Sequence, residues 1–145
     1  MKNVAIVGLG GMGLRHCEAI SQLDDMNLVS VCDIDMKRVQ ETADKYGVRN
    51  GYSEWDDMIQ TESIDLLIIA TNGDTHHDIT IFASENGVPR VLCEKPMTTS
   101  LNKAKNMISV CEKNDTKLVV HHIRRWSESY ERLKKMIDNG IIGDI

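Results

Sequence analysis

The sequence predicts a doubly wound α/β fold, in which a mostly parallel sheet of about six strands carries helices on both faces. Short apolar runs rich in β-branched residues recur along the chain. Segments with a helical pattern separate these runs, and such alternation is typical of βαβ units with buried parallel strands. A glycine-rich break directly after the first apolar run is typical of the first strand-to-helix turn in such folds.

The apolar runs predict five strands. Each run is bounded by polar or turn residues, as a buried parallel strand should be. A short extended piece at residues 48–52 is predicted as a sixth, edge-type strand. The five strands are predicted at residues 4–7, 28–31, 64–70, 91–93 and 118–120.

Capping residues predict where the helices begin and end. Ser, Thr and Asp side chains accept hydrogen bonds from free N–H groups at a helix start, and glycine permits the turn at a helix end. The predicted starts are Asp35, Ser53, Asp74 or Thr75, Ser100 and Ser127, and the predicted stops are Gly47, Gly87 and Gly140. In the last helix, Tyr130, Leu133 and Ile137 share one face, which we expect to be buried against the sheet or a second domain.

Composition indicates one soluble domain. The chain has 145 residues, of which 41% are hydrophobic, and a net charge of −5. An acidic chain lacks the basic surface that nucleic acids or anionic membranes attract. No segment is apolar enough to span a bilayer, and the N-terminus lacks the form of a signal peptide. The four cysteines form no CxxC pair, so we expect a reduced, cytoplasmic protein with buried thiols.

The glycine-rich break contains a G-x-G-x-x-G motif formed by Gly8, Gly10 and Gly13. After a strand and at a helix start, this motif predicts dinucleotide binding. Gly8 would allow the tight turn, Gly10 the approach of a pyrophosphate, and Gly13 close helix packing, with Gly11 and Met12 at the helix N-terminus that attracts the phosphates. The alternative is a glycine-rich turn that binds no ligand.

Asp33 ends the second predicted strand, about 20 residues after the motif, where an acidic side chain accepts hydrogen bonds from the adenosine ribose. A carboxylate there favours NAD over NADP because it repels a 2′-phosphate. Lys37 and Arg38 are counter-evidence, since they could attract that phosphate. Asp33 could instead be a turn or capping residue.

The sequence Cys93-Glu94-Lys95-Pro96 follows the fifth predicted strand. Side chains at the carboxyl end of such a strand face the ligand crevice, so Glu94 and Lys95 are candidates for contact with a substrate or the nicotinamide ribose. A lysine beside an alcohol or carbonyl can hold charge or move a proton. The alternative is an exposed Glu/Lys pair before a loop proline, whose peptide bond could be cis or trans.

Together, the segments "VAIVGLGGMGLRH", "VCDID", "LCEKP", "HHIRRW" and "IDNGIIGDI" resemble the N-terminal half of the Gfo/Idh/MocA oxidoreductases over essentially the whole chain. The resemblance implies a Rossmann domain that binds NAD or NADP through the glycine motif and Asp33. It places Lys95 beside the reacting carbon as the catalytic residue. It also implies that Thr71, Asn72 and His76 lie near the cofactor, although Asn72 stands where many relatives have a proline.

The same resemblance implies a substrate and a second domain. Members act mostly on sugars, sugar acids, inositols and nucleotide-linked sugars, and Arg125 would bind such a substrate, unless it is a salt-bridged arginine at a helix start. Relatives have a second α+β domain that completes the substrate site and usually the oligomer interface. We therefore expect residues 1–122 to form the dinucleotide domain and 123–145 a final helix leading to a missing domain. A truncated chain, a fragment and a stand-alone cofactor domain all fit, and the 145 residues alone should be inactive.

The sequence also leaves two further functions open. One is a non-catalytic dinucleotide-binding or sensing module, and the other is binding of a different Rossmann ligand such as S-adenosylmethionine. The E-K-P triplet counts against the second. No metal site is expected from the adjacent histidines at 76–77 and 121–122, because neighbouring residues of a strand point to opposite faces.

Overall fold

The computed structural model describes residues 1–141 and residue 143. Residues 142, 144 and 145, at the end of the expected junction segment, lie outside the described residues. The strands are β1 (Lys2–Val7), β2 (Met26–Cys32), β3 (Asn50–Tyr52), β4 (Leu66–Ile69), β5 (Arg90–Glu94) and β6 (Lys117–His121). The helices are α1 (Gly11–Ser21), α2 (Met36–Tyr46), α3 (Trp55–Thr61), α4 (His76–Glu85), α5 (Leu101–Lys113) and α6 (Glu128–Asp138), with a short 3₁₀ helix, η1, at Ile123–Trp126.

The six strands form one sheet in the order β3-β2-β1-β4-β5-β6, and all neighbouring strands are parallel. This confirms the predicted doubly wound fold. The chain reverses its direction across the sheet between β1 and β4. In folds of this type, ligands bind at the carboxyl ends of the strands beside that reversal.

Helices cover both faces of the sheet and divide the core into two layers. In β1, Ala5 and Val7 pack in one layer, which also contains Met58 of α3 and Ile79 of α4. Residues Val4 and Ile6 pack in the other layer with Cys17 of α1 and Val39 of α2. The alternation in β1 places successive side chains on opposite faces, as expected for a central strand buried on both sides.

Two of the five predicted N-terminal caps form through side chains, whereas Thr75 and Ser127 occupy N-cap positions without a side-chain hydrogen bond. The Asp35 side chain accepts a hydrogen bond from the Lys37 N–H, and Ser100 accepts one from the Lys103 N–H. Gly47 ends α2 with a φ of +68°. The predicted cap at Ser53 is wrong, because α3 begins one residue later with Glu54 at its N-cap.

For the last helix, the prediction that its apolar face packs on the sheet is wrong, while packing against a second domain stays a prediction. None of the residues of α6 is buried, and Tyr130 and Leu133 are 46% and 47% exposed. The main contact of α6 is with η1, which the sequence patterns did not predict. The apolar face of α6 therefore does not pack on the sheet.

Candidate functional site

The loop between β1 and α1 requires glycine at two positions for steric reasons. Gly8 has a φ of +91°, and a Cβ atom there would lie 2.7 Å from the carbonyl oxygen of Ala70. A Cβ atom at Gly13 would lie 1.8 Å from the carbonyl oxygen of Gly8. The glycines therefore allow α1 to pack on the loop and the loop to pack on the end of β4.

Gly10 and Gly11 instead border open space. A Cβ atom at either position would meet no atom within 4 Å from elsewhere in the described chain. Gly10 is the N-cap of α1, and no side chain caps this helix. The N–H groups of Gly11 and Met12 have no acceptor within α1, because the first helical bond joins the Leu14 N–H to the Gly10 carbonyl. Free donors and the positive end of the helix dipole here favour an anion.

Asp33 connects the end of β2 to this loop. Its carboxylate accepts a 2.7 Å hydrogen bond from the Leu9 N–H and a 3.0 Å bond from the Asp35 N–H. Asp33 is only 9% exposed, yet it borders an open cleft. Each carboxylate oxygen has a further lone pair, so the anchored group can still accept hydrogen bonds from a ligand.

The cleft has a volume of about 500 Å³, which is within the range of small-molecule sites. Of the residues predicted from sequence, Gly8, Gly10, Asp33, Thr71 and Asn72 line it. The lining also includes Ile34, Asp35, Ser53, Trp55 and Thr75, which sequence reasoning did not assign to the site. Their common signal is position, since each of these residues follows the carboxyl end of β2, β3 or β4.

The two basic residues after β2 have different surroundings. Arg38 lines the cleft, where its Nε atom lies 3.5 Å from an Asp35 carboxylate oxygen. Lys37 is not among the lining residues, and its Nζ atom lies 3.9 Å from Glu41. Arg38 is thus the basic residue positioned to meet a phosphate at this end of the cleft.

Local hydrogen bonds fix the segment after β4. The Thr75 hydroxyl lies 2.7 Å from the Thr71 hydroxyl and 2.8 Å from the carbonyl oxygen of Asn72. A Cβ atom at Gly73 would lie 2.9 Å from a ring carbon of Pro96. The segments after β4 and β5 therefore pack closely together. The Lys95–Pro96 peptide bond, left open by the sequence, is cis.

The structure places His76 between these two segments. The ring is fully buried, and its Nδ1 and Nε2 atoms lie 2.8 Å from the carbonyl oxygen of Pro96 and 3.1 Å from that of Thr71. A side chain with no exposed surface cannot touch a ligand in the cleft. His76 thus supports the loop that carries Thr71 and Asn72 and does not border the cleft itself.

Glu94 lies at the carboxyl end of β5 between two histidines. Its Oε1 atom is 2.9 Å from His16 Nε2 and 2.6 Å from His121 Nδ1. Burial raises the pKa of Glu94, but the hydrogen bonds from His121 and His16 outweigh burial and leave that pKa below its usual value. The buried carboxylate faces these rings, and it also accepts a 3.3 Å hydrogen bond from the Lys95 N–H.

Lys95 and Arg125 are both exposed, and neither is among the residues lining the cleft. No ion pair involves either side chain in the part of the chain that the structure describes. The alternative of a salt-bridged Arg125 is therefore wrong for residues 1–141 and 143. Lys95 follows the anchored Glu94, whereas Arg125 lies on η1 beyond β6.

Sequence reasoning missed the grouping of His16, Glu94 and His121. Their ligand atoms all lie within 4.8 Å of one another. The sequence prediction concerns only the adjacent pairs 76–77 and 121–122, and of these four histidines only His121 belongs to the cluster. Glu94 and His121 are register partners in neighbouring strands, so the signal lies in strand pairing and not in local spacing.

The helices in the described part of the chain are all too short or too polar to cross a membrane.

Residues 2–122 match the Gfo/Idh/MocA model, which is described as an oxidoreductase family with an NAD-binding Rossmann fold.

Named relatives agree with this match. A myo-inositol 2-dehydrogenase from Thermotoga maritima is 29% identical over 140 residues, which cover 97% of this chain and 42% of that protein. The crystal structure of myo-inositol 2-dehydrogenase from Lactobacillus plantarum has a TM-score of 0.92 at 33% identity, covering 99% of this chain and 43% of that one. The structure of scyllo-inositol dehydrogenase from Lactobacillus casei, with bound NAD(H) and scyllo-inositol, has a TM-score of 0.91 at 26% identity, covering 100% and 43%. The chain spans about two fifths of the length of these relatives.

Proposed function

Because the chain belongs to the Gfo/Idh/MocA family of oxidoreductases, we propose that its cleft holds the adenosine and pyrophosphate of NAD. The whole protein then transfers hydride between the nicotinamide and an alcohol or ketone carbon of a sugar, sugar acid, inositol or nucleotide-sugar substrate. The observation that carries this proposal is that one cleft combines two features. Gly10 is a helix N-cap with open space beside it, and the Asp33 carboxylate is held in place by two backbone N–H groups. The N–H groups of Gly11 and Met12 suit phosphate oxygens, and the Asp33 carboxylate suits ribose hydroxyl groups.

The residues present fit the cofactor. The space beside Gly10, where a Cβ atom would meet nothing, is what a pyrophosphate requires for backbone approach. Ile34, which is 92% exposed on the rim of the cleft, offers an apolar surface to the adenine ring. Thr71 and Asn72 supply polar groups on the opposite wall. We assign all of these residues, with Gly8 and Gly13 as the steric framework, to the cofactor site.

The bound nicotinamide supplies the hydride acceptor or donor. We assign Lys95 as the catalytic residue, whose ammonium group holds the substrate oxygen and exchanges a proton with it. Glu94 acts as a positioning residue, because its carboxylate accepts a hydrogen bond from the Lys95 N–H and is itself held by two histidine rings. His76 positions the Thr71 loop in the same manner.

The substrate class rests on the relatives. The named proteins are inositol dehydrogenases, so a polyol or another carbohydrate derivative is the proposed substrate, with Arg125 as a contact for its polar groups. We propose that residues 1–122 form the dinucleotide domain and that 123–145 lead to a second domain, which completes the substrate site and forms the homo-oligomer interface. Hydride transfer needs the substrate positioned to about 0.5 Å, so the 145 residues alone should not turn over substrate.

We infer the partners and the cellular compartment of the protein from its charge and its thiols. A net charge of −5 opposes nucleic-acid and anionic-membrane partners. The four cysteines are all free and buried, which suits a reducing compartment. We therefore propose a cytoplasmic enzyme whose partner is a small-molecule substrate.

Calorimetric titration of the chain with NADH and NADPH tests the cofactor assignment. We expect NADH to bind about tenfold more tightly, a difference of ~1.4 kcal/mol, because a 2′-phosphate would approach Asp33. Arg38 limits this preference, since it also lines the cleft. Binding of neither nucleotide, or displacement of NADH by S-adenosylmethionine, would contradict the assignment.

The variant Asp33→Asn removes the carboxylate charge at the cost of one acceptor, the oxygen that faces the Asp35 N–H. The amide keeps one acceptor for the buried Leu9 N–H, which Asp33→Ala would leave unpaired at a cost of about 1–3 kcal/mol. We expect the affinity ratio of NADH to NADPH to fall toward one. Asp24→Asn, which removes the same charge from an exposed position beyond the other end of α1, should leave the ratio unchanged. An unaltered ratio in Asp33→Asn would show that the ribose is held elsewhere.

A further inference from the structure

Three side chains from three separate elements meet at the carboxyl edge of the sheet. His16 comes from α1, Glu94 is the last residue of β5, and His121 is the last residue of β6. Both nearest ring nitrogens point at the same oxygen, Glu94 Oε1, from 2.9 Å and 2.6 Å. The ring centroids of the two histidines are 5.0 Å apart, with an angle of 54° between their planes. The rings therefore do not stack and leave their nitrogens facing a common point.

We propose that this cluster binds one divalent transition metal ion, with Zn²⁺ as the ion that best suits its ligands. Two imidazole nitrogens and one carboxylate oxygen form a set that zinc uses in proteins when the fourth position is open to water. The mixed nitrogen and oxygen set does not favour Ca²⁺ or Mg²⁺, which prefer all-oxygen sites.

The distances allow the ion to enter with little rearrangement. The three ligand atoms already lie within 4.8 Å of one another. A tetrahedral ion with bonds of about 2.1 Å holds its ligand atoms about 3.4 Å apart. Each nitrogen would therefore move away from the carboxylate oxygen by less than ~1 Å. The two nitrogens, at most 4.8 Å apart, would approach each other by no more than about 1.4 Å, and side-chain rotations can supply both movements. The ion replaces the two hydrogen bonds by coordinate bonds, and each neutral imidazole then carries its proton on the outer nitrogen.

Charge and exposure also suit a cation. With both histidines neutral, the cluster carries the single negative charge of Glu94. No lysine or arginine side chain forms an ion pair with Glu94 among residues 1–141 and 143. The side chains of His16, Glu94 and His121 are 11%, 7% and 18% exposed, so an ion and one water ligand can enter from the His121 side.

A ligand of a metal site is usually oriented by a second hydrogen bond. Here the other oxygen of Glu94, Oε2, accepts the Lys95 N–H at 3.3 Å. This bond fixes the carboxylate while Oε1 faces the two rings. The arrangement ties α1, β5 and β6 together, and a bound ion should therefore raise the unfolding temperature of the chain.

Zinc titration of the chelator-treated chain tests the proposal without any nucleotide. We expect one Zn²⁺ per chain, measured by competition with a chromophoric chelator. The variants His121→Asn and Glu94→Gln should each weaken binding at least about tenfold, since loss of even an outer-shell partner costs 10–100-fold. His122→Asn, which removes the exposed neighbouring histidine, should bind Zn²⁺ like the parent chain. Zinc should raise the unfolding temperature of the parent and of His122→Asn only.

Several outcomes would overturn the site. These are the absence of stoichiometric binding, parental affinity in His121→Asn, or an equal loss in His122→Asn. If a variant fails to fold, Co²⁺ bound to the parent chain decides, because a four-coordinate ion gives intense visible bands and a six-coordinate ion gives weak ones. Weak bands would reject the proposed three-ligand site. Because no nucleotide is present, a negative result leaves the NAD assignment untouched.

Discussion

The carboxyl edge of the sheet is built in two different ways on the two sides of α1. On the glycine side, defined by residues 8–13 and Asp33, the chain presents backbone N–H groups and open space. On the histidine side, defined by His16, His76, Glu94 and His121, side chains fill the space and pair with one another or with backbone carbonyl groups. The same edge of the sheet therefore contains two kinds of structure. Glycines leave an open cleft on one side, and hydrogen-bonded, buried side chains fill the other side.

The two sides should therefore respond to opposite kinds of mutation. Adding atoms is harmful on the glycine side, because a new side chain meets either packed backbone or the ligand. Removing atoms is harmful on the histidine side, because buried polar groups lose their partners.

The largest effect is expected for Gly13→Ala. The added Cβ atom would lie 1.8 Å from the carbonyl oxygen of Gly8, so α1 must move away from the loop. Because the two atoms closest to that Cβ are the carbonyl oxygen and carbon of Gly8, which are backbone atoms, we expect a loss of about 3 kcal/mol or more in the free energy of unfolding. Urea unfolding followed by circular dichroism measures this loss. Gly11→Ala, whose Cβ atom meets nothing within 4 Å, is the matched control, and an equal loss there would contradict the packing argument.

Gly10→Val should separate binding from stability. Its side chain would project into open space, so the free energy of unfolding should change by less than about 1 kcal/mol. The same side chain would occupy the space assigned to the pyrophosphate, and NADH affinity should fall about 100-fold, or ~2.7 kcal/mol. Calorimetric titration and urea unfolding give both quantities. Parental NADH affinity would show that the glycine side does not hold the phosphates.

The glycine side could be predicted from the sequence because its signals are local. Gly8, Gly10 and Gly13 are close neighbours in the chain, and Asp33 ends the next strand. Strand and helix periods then established the order of elements, and the sheet confirmed the predicted fold. Position along a parallel strand was enough to place these residues at one edge.

The histidine side could not be predicted in the same way. His16 and Glu94 are 78 residues apart, and their contact depends on how α1 packs across the sheet. The pairing of Glu94 with His121 depends on the register of β5 and β6. The resemblance implied only that His76 lies near the cofactor, and sequence spacing does not reveal that the segments after β4 and β5 close around its ring.

His76→Ala is expected to have an intermediate effect. It removes a buried ring and leaves the carbonyl group that accepts the ring N–H, of Pro96 or of Thr71, without its donor, which should cost about 1–3 kcal/mol of unfolding free energy. Because the Thr71 loop lines the cleft, NADH affinity should also fall. His77→Ala removes the neighbouring ring on the same helix, which lies 2.8 Å from the Asn106 side chain of α5 and away from the cleft, so it should lower stability but leave NADH affinity at the parental value. Unchanged stability and NADH affinity in His76→Ala would remove its positioning role.

The smallest effect is expected for two buried cysteines. Cys32 precedes Asp33 on the glycine side, and Cys93 precedes Glu94 on the histidine side. Burial, followed by the charge of Asp33, raises the pKa of Cys32 to about 12. Burial, followed by the charge of Glu94, raises the pKa of Cys93 to about 12 as well. Since the thiolate is the reactive form, only about one thiol in 10,000 is reactive at pH 8, and both cysteines should resist alkylation equally.

Iodoacetamide treatment at pH 8, followed by mass spectrometry, measures this resistance residue by residue. All four cysteines should react in urea, which confirms that burial protects them in the folded chain. Faster modification of Cys32 than of Cys93 would mean that the glycine side opens locally more often than the histidine side. NADH should then slow the reaction of Cys32 alone, because Cys32 lines the cleft and Cys93 does not. Equal slowing of both cysteines would instead show that the two sides open as one unit.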